Sequence, residues 1–222
     1  MLKIHGVPVS PHTRKVIIAA LLKDLPYEVR PVIPMKPPED FAAISPLGKI
    51  PVLSDGTLNL PDSSVICAYL EAKYPKTPRL FPKDPVDYAR SLWIEEYVDG
   101  GLVQDVIGIV FQKVIRPKIL DQATDHAIID SILKNSLPKK LDYLEGSLDG
   151  SYFVADQLTI ADVAVASSLV SLHYAGQRLQ GASHPRLSGH FRRMLQSPAF
   201  TKALADEQTF ADHLGLDRSF LN

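Results

Sequence analysis

The chain has 222 residues, of which 45% are hydrophobic and 22% charged, and its formal net charge is −1. This is an ordinary globular composition, and so small a net charge provides no broad basic field for nucleic acid or an anionic membrane. One cysteine, Cys67, excludes an intramolecular disulfide and fits a reducing compartment. Because no apolar run reaches membrane-spanning length and no secretory leader is visible, we expect a cytoplasmic protein.

The first third of the chain is rich in proline and predicts short strands separated by helices. Residues 2–6 alternate as a strand does. Ser10 followed by Pro11 is typical of a helix start, and apolar residues continue with helical spacing to about residue 23. Residues 27–32 alternate again. This β-α-β order predicts a right-handed crossover between parallel strands.

The next stretch predicts an antiparallel hairpin covered by a helix. Residues 39–44 can form one or two helical turns, and residues 50–53 form a strand with a proline near its start. Asp55-Gly56 predicts a hairpin turn, and residues 57–60 predict the second strand of that hairpin. A helix over 62–74 then ends at a proline.

Three polar features of this region should converge, because the first strand and the first hairpin strand are expected to be neighbours. They are the Ser10 helix start, the Ile50-Pro51 strand start and the Asp62-Ser63 helix start. An X-Pro bond can be cis at low cost. A cis bond here would turn the backbone of Ile50 out of the sheet edge, where it could pair with an extended peptide. An ordinary strand, turn and capped helix is the alternative interpretation.

After a proline-rich linker at 75–82, nearly all of the chain predicts helix. Residues 85–115 predict one long helix, which its internal glycines would weaken or bend. Residues 125–148 predict a second, and Pro138 within it should either kink or split that helix. Two or three shorter helices fill residues 185–214.

A further helix, beginning near Leu158, is predicted to be the central one. Thr159 and Asp162 have the spacing of a capping box, and Leu158 can pack against Val163 as a hydrophobic staple. The segment from Val163 to Leu172 is apolar almost all round, which is typical of a buried helix.

Several chemistries are excluded or disfavoured by the sequence. Nucleotide-binding glycine motifs, a serine-hydrolase elbow and zinc-ligand spacings are all absent, so we expect no metal site. Cys67 lies among apolar residues and is interpreted as a small buried side chain. The acidic pairs Glu95-Glu96 and Asp62 with Glu71 are interpreted as solvated helix faces.

Four stretches then carry a family pattern in order and at family spacing. They are residues 9–16, 45–53, 61–70 and 158–163. Together they resemble the cytosolic glutathione S-transferases, serine type, over essentially the full chain. The resemblance implies an α/β thioredoxin-like N-terminal domain over 1–80, a linker over 81–87 and an all-α helical domain over 88–222 that binds the electrophile.

The resemblance also implies roles for individual residues. Ser10 would hold the thiolate of the co-substrate glutathione by a hydrogen bond. The implied glutathione-binding residues are Lys36, Lys49, Ile50, Pro51, Asp62 and Ser63. The two lysines would face the glycyl carboxylate, the backbone of Ile50 beside a cis Pro51 would pair with the cysteinyl unit, and the last two would hold the γ-glutamyl group.

Two residues near the predicted site and three candidates for the electrophile pocket complete the prediction. Ser45 stands where the family usually has Asn, and His12 either lines the site or lies on the helix surface. Phe111, Arg116 and Tyr174 are candidates for the electrophile pocket, although each residue type more commonly has a structural role. Family members are usually two-fold dimers, so the resemblance implies a homodimer.

Three functions stay open at this point. The first is a transferase that conjugates glutathione to a small electrophile. The second is a glutathione-dependent isomerase or dehalogenase on the same fold, with an identical thiol site. The third is a non-catalytic glutathione-binding interaction protein, which the retention of Ser10 disfavours because a binding module needs no activating hydroxyl.

Overall fold

A four-stranded mixed sheet forms the first part of the chain in a computed structural model that describes residues 1–221. Its strands are β1 (Leu2–His5), β2 (Tyr27–Arg30), β3 (Val52–Asp55) and β4 (Leu58–Leu60), in the order β2-β1-β3-β4. β1 pairs parallel with β2 and antiparallel with β3, and β3 and β4 form the hairpin. Helices α1 (Pro11–Leu22) and α2 (Ser63–Lys73) accompany the sheet, which confirms the predicted thioredoxin-like class.

The strand predicted over 50–53 begins later than expected, at Val52. The Ile50–Pro51 peptide bond is cis, as predicted, and Pro51 has no N–H to donate to a strand ladder. Because β3 lies between β1 and β4, it is not an edge strand of the sheet. The backbone of Ile50 lies outside the paired region because Ile50 precedes the strand.

The second part of the chain is helical, as predicted. Its helices are α3 (Pro85–Tyr97), α4 (Val103–Val110), α5 (Arg116–Lys118), α6 (His126–Ser131), α7 (Leu137–Ser147), α8 (Ile160–Tyr174), α9 (Pro185–Leu195), α10 (Pro198–Asp206) and α11 (Gln208–His213). None of the helices within residues 1–221 combines the length and apolar character needed to cross a bilayer.

Both long predicted helices continue through wide π-helical turns. Val98–Leu102 joins α3 to α4 and contains the Gly-Gly pair, and Phe111–Ile115 joins α4 to α5. Ile132–Ser136 joins α6 to α7. Pro138 follows this last turn, in the first turn of α7, so the helix predicted over 125–148 widens beside its proline and does not end there.

Helix α8 is central, and every one of its residues is buried. Its first turn is fixed by Asp162, whose carboxylate accepts hydrogen bonds from the Thr159 backbone N–H at 2.7 Å and the Thr159 hydroxyl at 3.0 Å. The same carboxylate accepts from the Phe153 N–H at 3.1 Å and contacts His190 Nε2 at 2.9 Å. The predicted cap is thus one part of a larger buried polar cluster.

Buried charge pairs correct the prediction of solvated faces for one member of each acidic pair, whereas Glu96 and Asp62 are exposed as predicted. Glu95 is 1% exposed and forms an ion pair with the buried Lys15 of α1. The Glu71 side chain is 11% exposed, and its Oε2 lies 2.6 Å from Nζ of buried Lys23. Local sequence around each acid carries no sign of these cations, which come from a different element.

We predict that Asp162→Ala lowers the free energy of unfolding by about 3–5 kcal/mol, because it removes a buried charge partner and leaves several buried donors without an acceptor. Urea denaturation measures this change. Asp142→Ala is the matched control: Asp142 also lies 2.9 Å from a histidine, His184, but its side chain is 70% exposed. We expect the control to cost less than about 1 kcal/mol. Equal losses in the two variants would contradict the assignment.

Candidate functional site

Ile50 lies beside the loop that leads to Ser10. His5 pairs with Val52 across β1 and β3, so Gly6 and Ile50 lie just beyond the paired ends of these two strands. A Cβ added at Gly6 would lie 3.3 Å from Ile50 Cβ. The loop that begins at Gly6 and leads to Ser10 therefore packs against the cis peptide.

Ser10 is the N-cap residue of α1, with extended backbone angles and Pro11 in the first helical turn. Its side chain makes no capping hydrogen bond, so the hydroxyl is not committed to the helix. The residue is half-buried. A half-buried hydroxyl at a helix N-terminus is suited to donate to an anion that the helix dipole also favours.

The backbone of Ile50 has no hydrogen-bond partner within residues 1–221. Its side chain packs close to Gly6, where an added Cβ would lie 3.3 Å from Ile50 Cβ and 2.6 Å from the Thr13 hydroxyl. Gly6 also has φ +157°, in the region that favours glycine. Only glycine therefore lets β1, α1 and the cis peptide approach this closely.

Ser45 fixes the turn that precedes the cis peptide. This buried residue donates from its hydroxyl to the Lys49 carbonyl at 2.7 Å, and its own carbonyl accepts from the Gly48 N–H at 2.8 Å. Gly48 has φ +63°, which a residue with a side chain adopts at a cost. Ser45, which departs from the family pattern, therefore stabilises the loop that leads to the cis peptide.

Asp62 caps helix α2, as predicted. Its Oδ1 accepts from the backbone N–H groups of Ser64 and Val65, both at 2.9 Å, while the residue itself stays exposed. Ser63 follows as a buried residue in the first turn of the helix. The helix start thus presents an accessible carboxylate beside the Ser63 backbone N–H, a combination that can hold both an ammonium and a carboxylate group.

His12 connects the two helix starts. Its Nδ1 lies 3.5 Å from the Ser63 hydroxyl and 3.6 Å from Asp99 Oδ2, a carboxylate of the helical part. Of the two interpretations of His12, the structure therefore favours the one beside the site. Lys15 of α1 forms an ion pair with the same Asp99 carboxylate.

Opposite charges stabilise each other in this cluster. Burial alone would raise the pKa of Asp99, but the interaction with His12 and the charge of Lys15 outweigh it and lower the pKa to about 2. Burial likewise disfavours the charged Lys15, yet the carboxylates of Asp99 and Glu95 raise its pKa. Both groups are charged at neutral pH, directly behind the start of α2.

The two predicted glycyl-binding lysines are exposed. Lys49 follows the turn fixed by Ser45, and Lys36 lies in the loop before the short 3-10 helix Glu39–Ala43. No ion pair within the described part of the chain engages either ammonium group. Lys49 directly precedes Ile50 in the chain, whereas no hydrogen bond or ion pair within residues 1–221 joins Lys36 to another predicted site residue.

The candidates for an electrophile pocket differ in their surroundings. Tyr174 is buried and donates to Glu207 Oε1 at 2.6 Å, which makes it part of the core. Arg116 donates to the Ala123 carbonyl at 2.8 Å and supports a local turn. Phe111 is exposed, in the second π-helical turn. Two shallow cavities of about 300 and 360 Å³ lie near the linker and contain none of these residues.

Cys67 is fully buried in α2, and burial raises the pKa of its thiol to about 12. A protonated, enclosed thiol is a poor nucleophile. Any thiolate chemistry at this site must therefore use a sulfur that a ligand brings in.

Sequence reasoning missed the residues that support the site from beneath. They are Gly6, Thr13, Arg14, Lys15, Glu95, Asp99 and Glu207. One signal was available: two adjacent cations, Arg14 and Lys15, interrupt an otherwise apolar helix, which predicts buried acidic partners elsewhere.

Comparison with known proteins agrees with this architecture. The family model described as "Glutathione S-transferase, N-terminal domain" matches residues 4–78, and that described as "Glutathione S-transferase, C-terminal domain" matches residues 110–207. A glutathione S-transferase of Hyoscyamus muticus is 31% identical over 214 residues, covering 93% of this chain and 99% of that protein.

Two solved structures show the same fold. The apo form of glutathione S-transferase III superimposes with a TM-score of 0.80 at 31% identity, covering 93% of this chain and 97% of that one. A glutathione S-transferase of Methylobacillus flagellatus KT, solved with glutathione bound, has a TM-score of 0.78 at 28% identity, covering 91% and 98%. The chain therefore belongs to the glutathione S-transferase family of enzymes.

Proposed function

We propose that this protein is a glutathione transferase in which the Ser10 hydroxyl stabilises the glutathione thiolate for attack on a small electrophilic carbon. The observation that carries the proposal is the uncommitted hydroxyl of Ser10 at a helix N-terminus, on a loop that packs at Gly6 against Ile50, whose backbone is unpaired. The thiol proton leaves to solvent. The sulfur then forms a C–S bond, and the bonding pair departs with the leaving group or moves into the acceptor.

The energy required is within reach of these groups. A free thiol has a pKa of about 8.5, so only a few per cent is ionised at neutral pH. Lowering that pKa by about two units needs about 2.7 kcal/mol of differential stabilisation. A hydrogen bond to a charged group contributes about 1.5–3 kcal/mol, and a helix N-terminus adds about 0.3–1 kcal/mol.

The remaining groups fit the rest of the tripeptide. The backbone of Ile50 would pair with the cysteinyl unit, with cis Pro51 holding it in place. Asp62 would accept the γ-glutamyl ammonium, while the Ser63 N–H would meet the γ-glutamyl carboxylate. Lys49, with Lys36 more distant, would face the glycyl carboxylate.

We further propose the division into a glutathione-binding domain over 1–80, a linker over 81–87 and an electrophile-binding domain over 88–222. The end of the sheet part at α2 supports it, although α3 already begins at Pro85, inside the proposed linker. A cytoplasmic, detoxifying enzyme is consistent with one reduced and buried cysteine.

We predict that Ser10→Ala lowers kcat about 10- to 100-fold and moves the lower limb of the pH–rate profile toward pH 8.5, because the thiolate loses a charge-assisted hydrogen bond. The Michaelis constant for glutathione should change little. Turnover is measured against a panel of electrophiles, with free thiol titrated in parallel. Loss of thiol identifies conjugation, since an isomerase would consume none.

Ser197→Ala is the matched control for Ser10→Ala. Ser197-Pro198 begins α10 with the same residue pair, far along the chain from the site, and its hydroxyl donates to the Met194 carbonyl at 2.7 Å. We expect this variant to keep wild-type turnover. Full activity in Ser10→Ala would remove Ser10 from the mechanism.

We predict that Lys49→Ala raises the Michaelis constant for glutathione about tenfold with a smaller effect on kcat, because a charge pair with the glycyl carboxylate is lost. The probe is glutathione whose glycyl carboxylate is converted to an amide. Wild type should discriminate against the amide, and Lys49→Ala should not. Lys134→Ala, an exposed lysine of the helical part, is the control; retained discrimination in Lys49→Ala would show that another group binds this carboxylate.

We predict a homodimer. Large apolar side chains are exposed on α2 and α3, among them Val65, Val86, Tyr88 and Trp93. Such a patch commonly marks a protein–protein interface. Sedimentation equilibrium should give twice the chain mass of 24.5 kDa, and a monomer at micromolar concentration would be the contrary result.

A further inference from the structure

We propose that Glu207, a residue of the helical part, is a positioning residue for Ser10. It acts through Arg14, which binds the backbone of the loop that carries the Ser10 hydroxyl. The inference rests on the proposed function, since it concerns the same thiolate. Glu207 lies between α10 and α11, 193 positions from Arg14. Within residues 1–221 its carboxylate accepts hydrogen bonds from Arg14 and Tyr174 and from no backbone group of the loop.

Arg14 connects Glu207 to the loop directly. Its Nε lies 3.1 Å from both carboxylate oxygens of Glu207, and its Nη2 donates to Oε1 at 3.0 Å. The same Nη2 donates to the Val9 carbonyl at 3.0 Å. The Arg14 backbone N–H donates to the Ser10 carbonyl at 2.8 Å. One residue therefore holds the two peptide groups on either side of the Ser10 α-carbon.

The guanidinium is held in one orientation. Nη1 donates to the Ser167 carbonyl at 2.8 Å and to the Ser171 hydroxyl at 3.0 Å, both on α8. Tyr174, also on α8, donates to Glu207 at 2.6 Å, which fixes the carboxylate in turn. Arg14 and Glu207 are at most 1% exposed. Because all three nitrogens of the planar guanidinium are hydrogen-bonded, Arg14 can fix the position of the Val9 carbonyl closely.

Few backbone hydrogen bonds other than those to Arg14 hold the loop. Between Gly6 and Ser10, the backbone hydrogen bonds outside the strands are Gly6 N–H to the Arg30 carbonyl and Ser10 N–H to the Val7 carbonyl. The Ser10 hydroxyl makes no bond to its own helix. The position of that hydroxyl consequently depends on the backbone at residues 9 and 10, which Arg14 determines.

A second buried pair at the far end of the same helix supplies a matched comparison. Lys23 is the C-cap residue of α1, and its Nζ lies 2.6 Å from Glu71 Oε2, with both side chains largely buried. Glu71→Gln and Glu207→Gln therefore each neutralise a carboxylate paired with a buried cation of α1 or of its cap. Only the second lies at the Ser10 end.

The test measures the pKa of the enzyme-bound glutathione thiol, by titrating ultraviolet thiolate absorbance, together with kcat. Positioning predicts that Glu207→Gln raises this pKa by about one unit and lowers kcat about tenfold, because a displaced hydroxyl stabilises the thiolate less well. Glu71→Gln should lose stability and leave the bound-thiol pKa unchanged. Direct electrostatics predicts the opposite sign, since removing a nearby negative charge favours a thiolate.

A bound-thiol pKa that falls in Glu207→Gln, or that changes equally in the two variants, would overturn the inference. Arg14→Lys is the second variant, in case Glu207→Gln does not fold. It keeps a buried cation, but an ammonium lacks the fixed fork that joins Glu207 to Val9, so the thiol pKa should rise here as well. Failure of the wild-type protein to form a thiolate would instead refute the proposed function.

Discussion

Two adjacent buried cations on α1 are the constraint on which the arrangement of this molecule depends. Neighbouring residues of a helix point about 100° apart, so Arg14 and Lys15 reach different surroundings. Arg14 meets Glu207, and Lys15 meets Glu95 and Asp99. All these acids belong to the helical part. Since an unpaired buried charge is strongly destabilising, the sheet and the helices can pack only in the orientation that pairs both cations.

This packing also defines the candidate site, because each pair ends beside one side of it. The Lys15 cluster lies behind Ser63 and His12, where α2 begins. The Arg14 pair lies behind Val9, where the loop enters α1. The groups proposed to bind glutathione belong to the sheet part, and buried charges of the helical part hold them in position. Loss of that packing would therefore abolish the site before it unfolded the sheet.

The sequence predicted the features that depend on local pattern and missed those that depend on distant partners. Apolar spacing, caps and prolines located α1, α2 and α8, and the family pattern pointed to the cis bond at Pro51. Each predicted site residue at Ser10, Ile50 and Asp62 stands at the end of an element, where position follows from topology. Burial of Glu95 could not be foreseen in the same way, because its partner lies 80 positions earlier.

The departure at Ser45 shows which parts of such a site tolerate change. A serine stands in place of the family's usual asparagine, and its short hydroxyl reaches the Lys49 carbonyl because the turn through Gly48 brings that carbonyl close. Exposed charges such as those of Lys36 and Lys49 are screened by solvent and salt, so in the proposed site they would adjust the affinity for glutathione without fixing its position. Buried polar bonds, by contrast, determine where the backbone of Ile50 and the hydroxyl of Ser10 lie. Variation among proteins of this architecture should therefore be freer at the exposed lysines than at the buried hydrogen bonds beneath them.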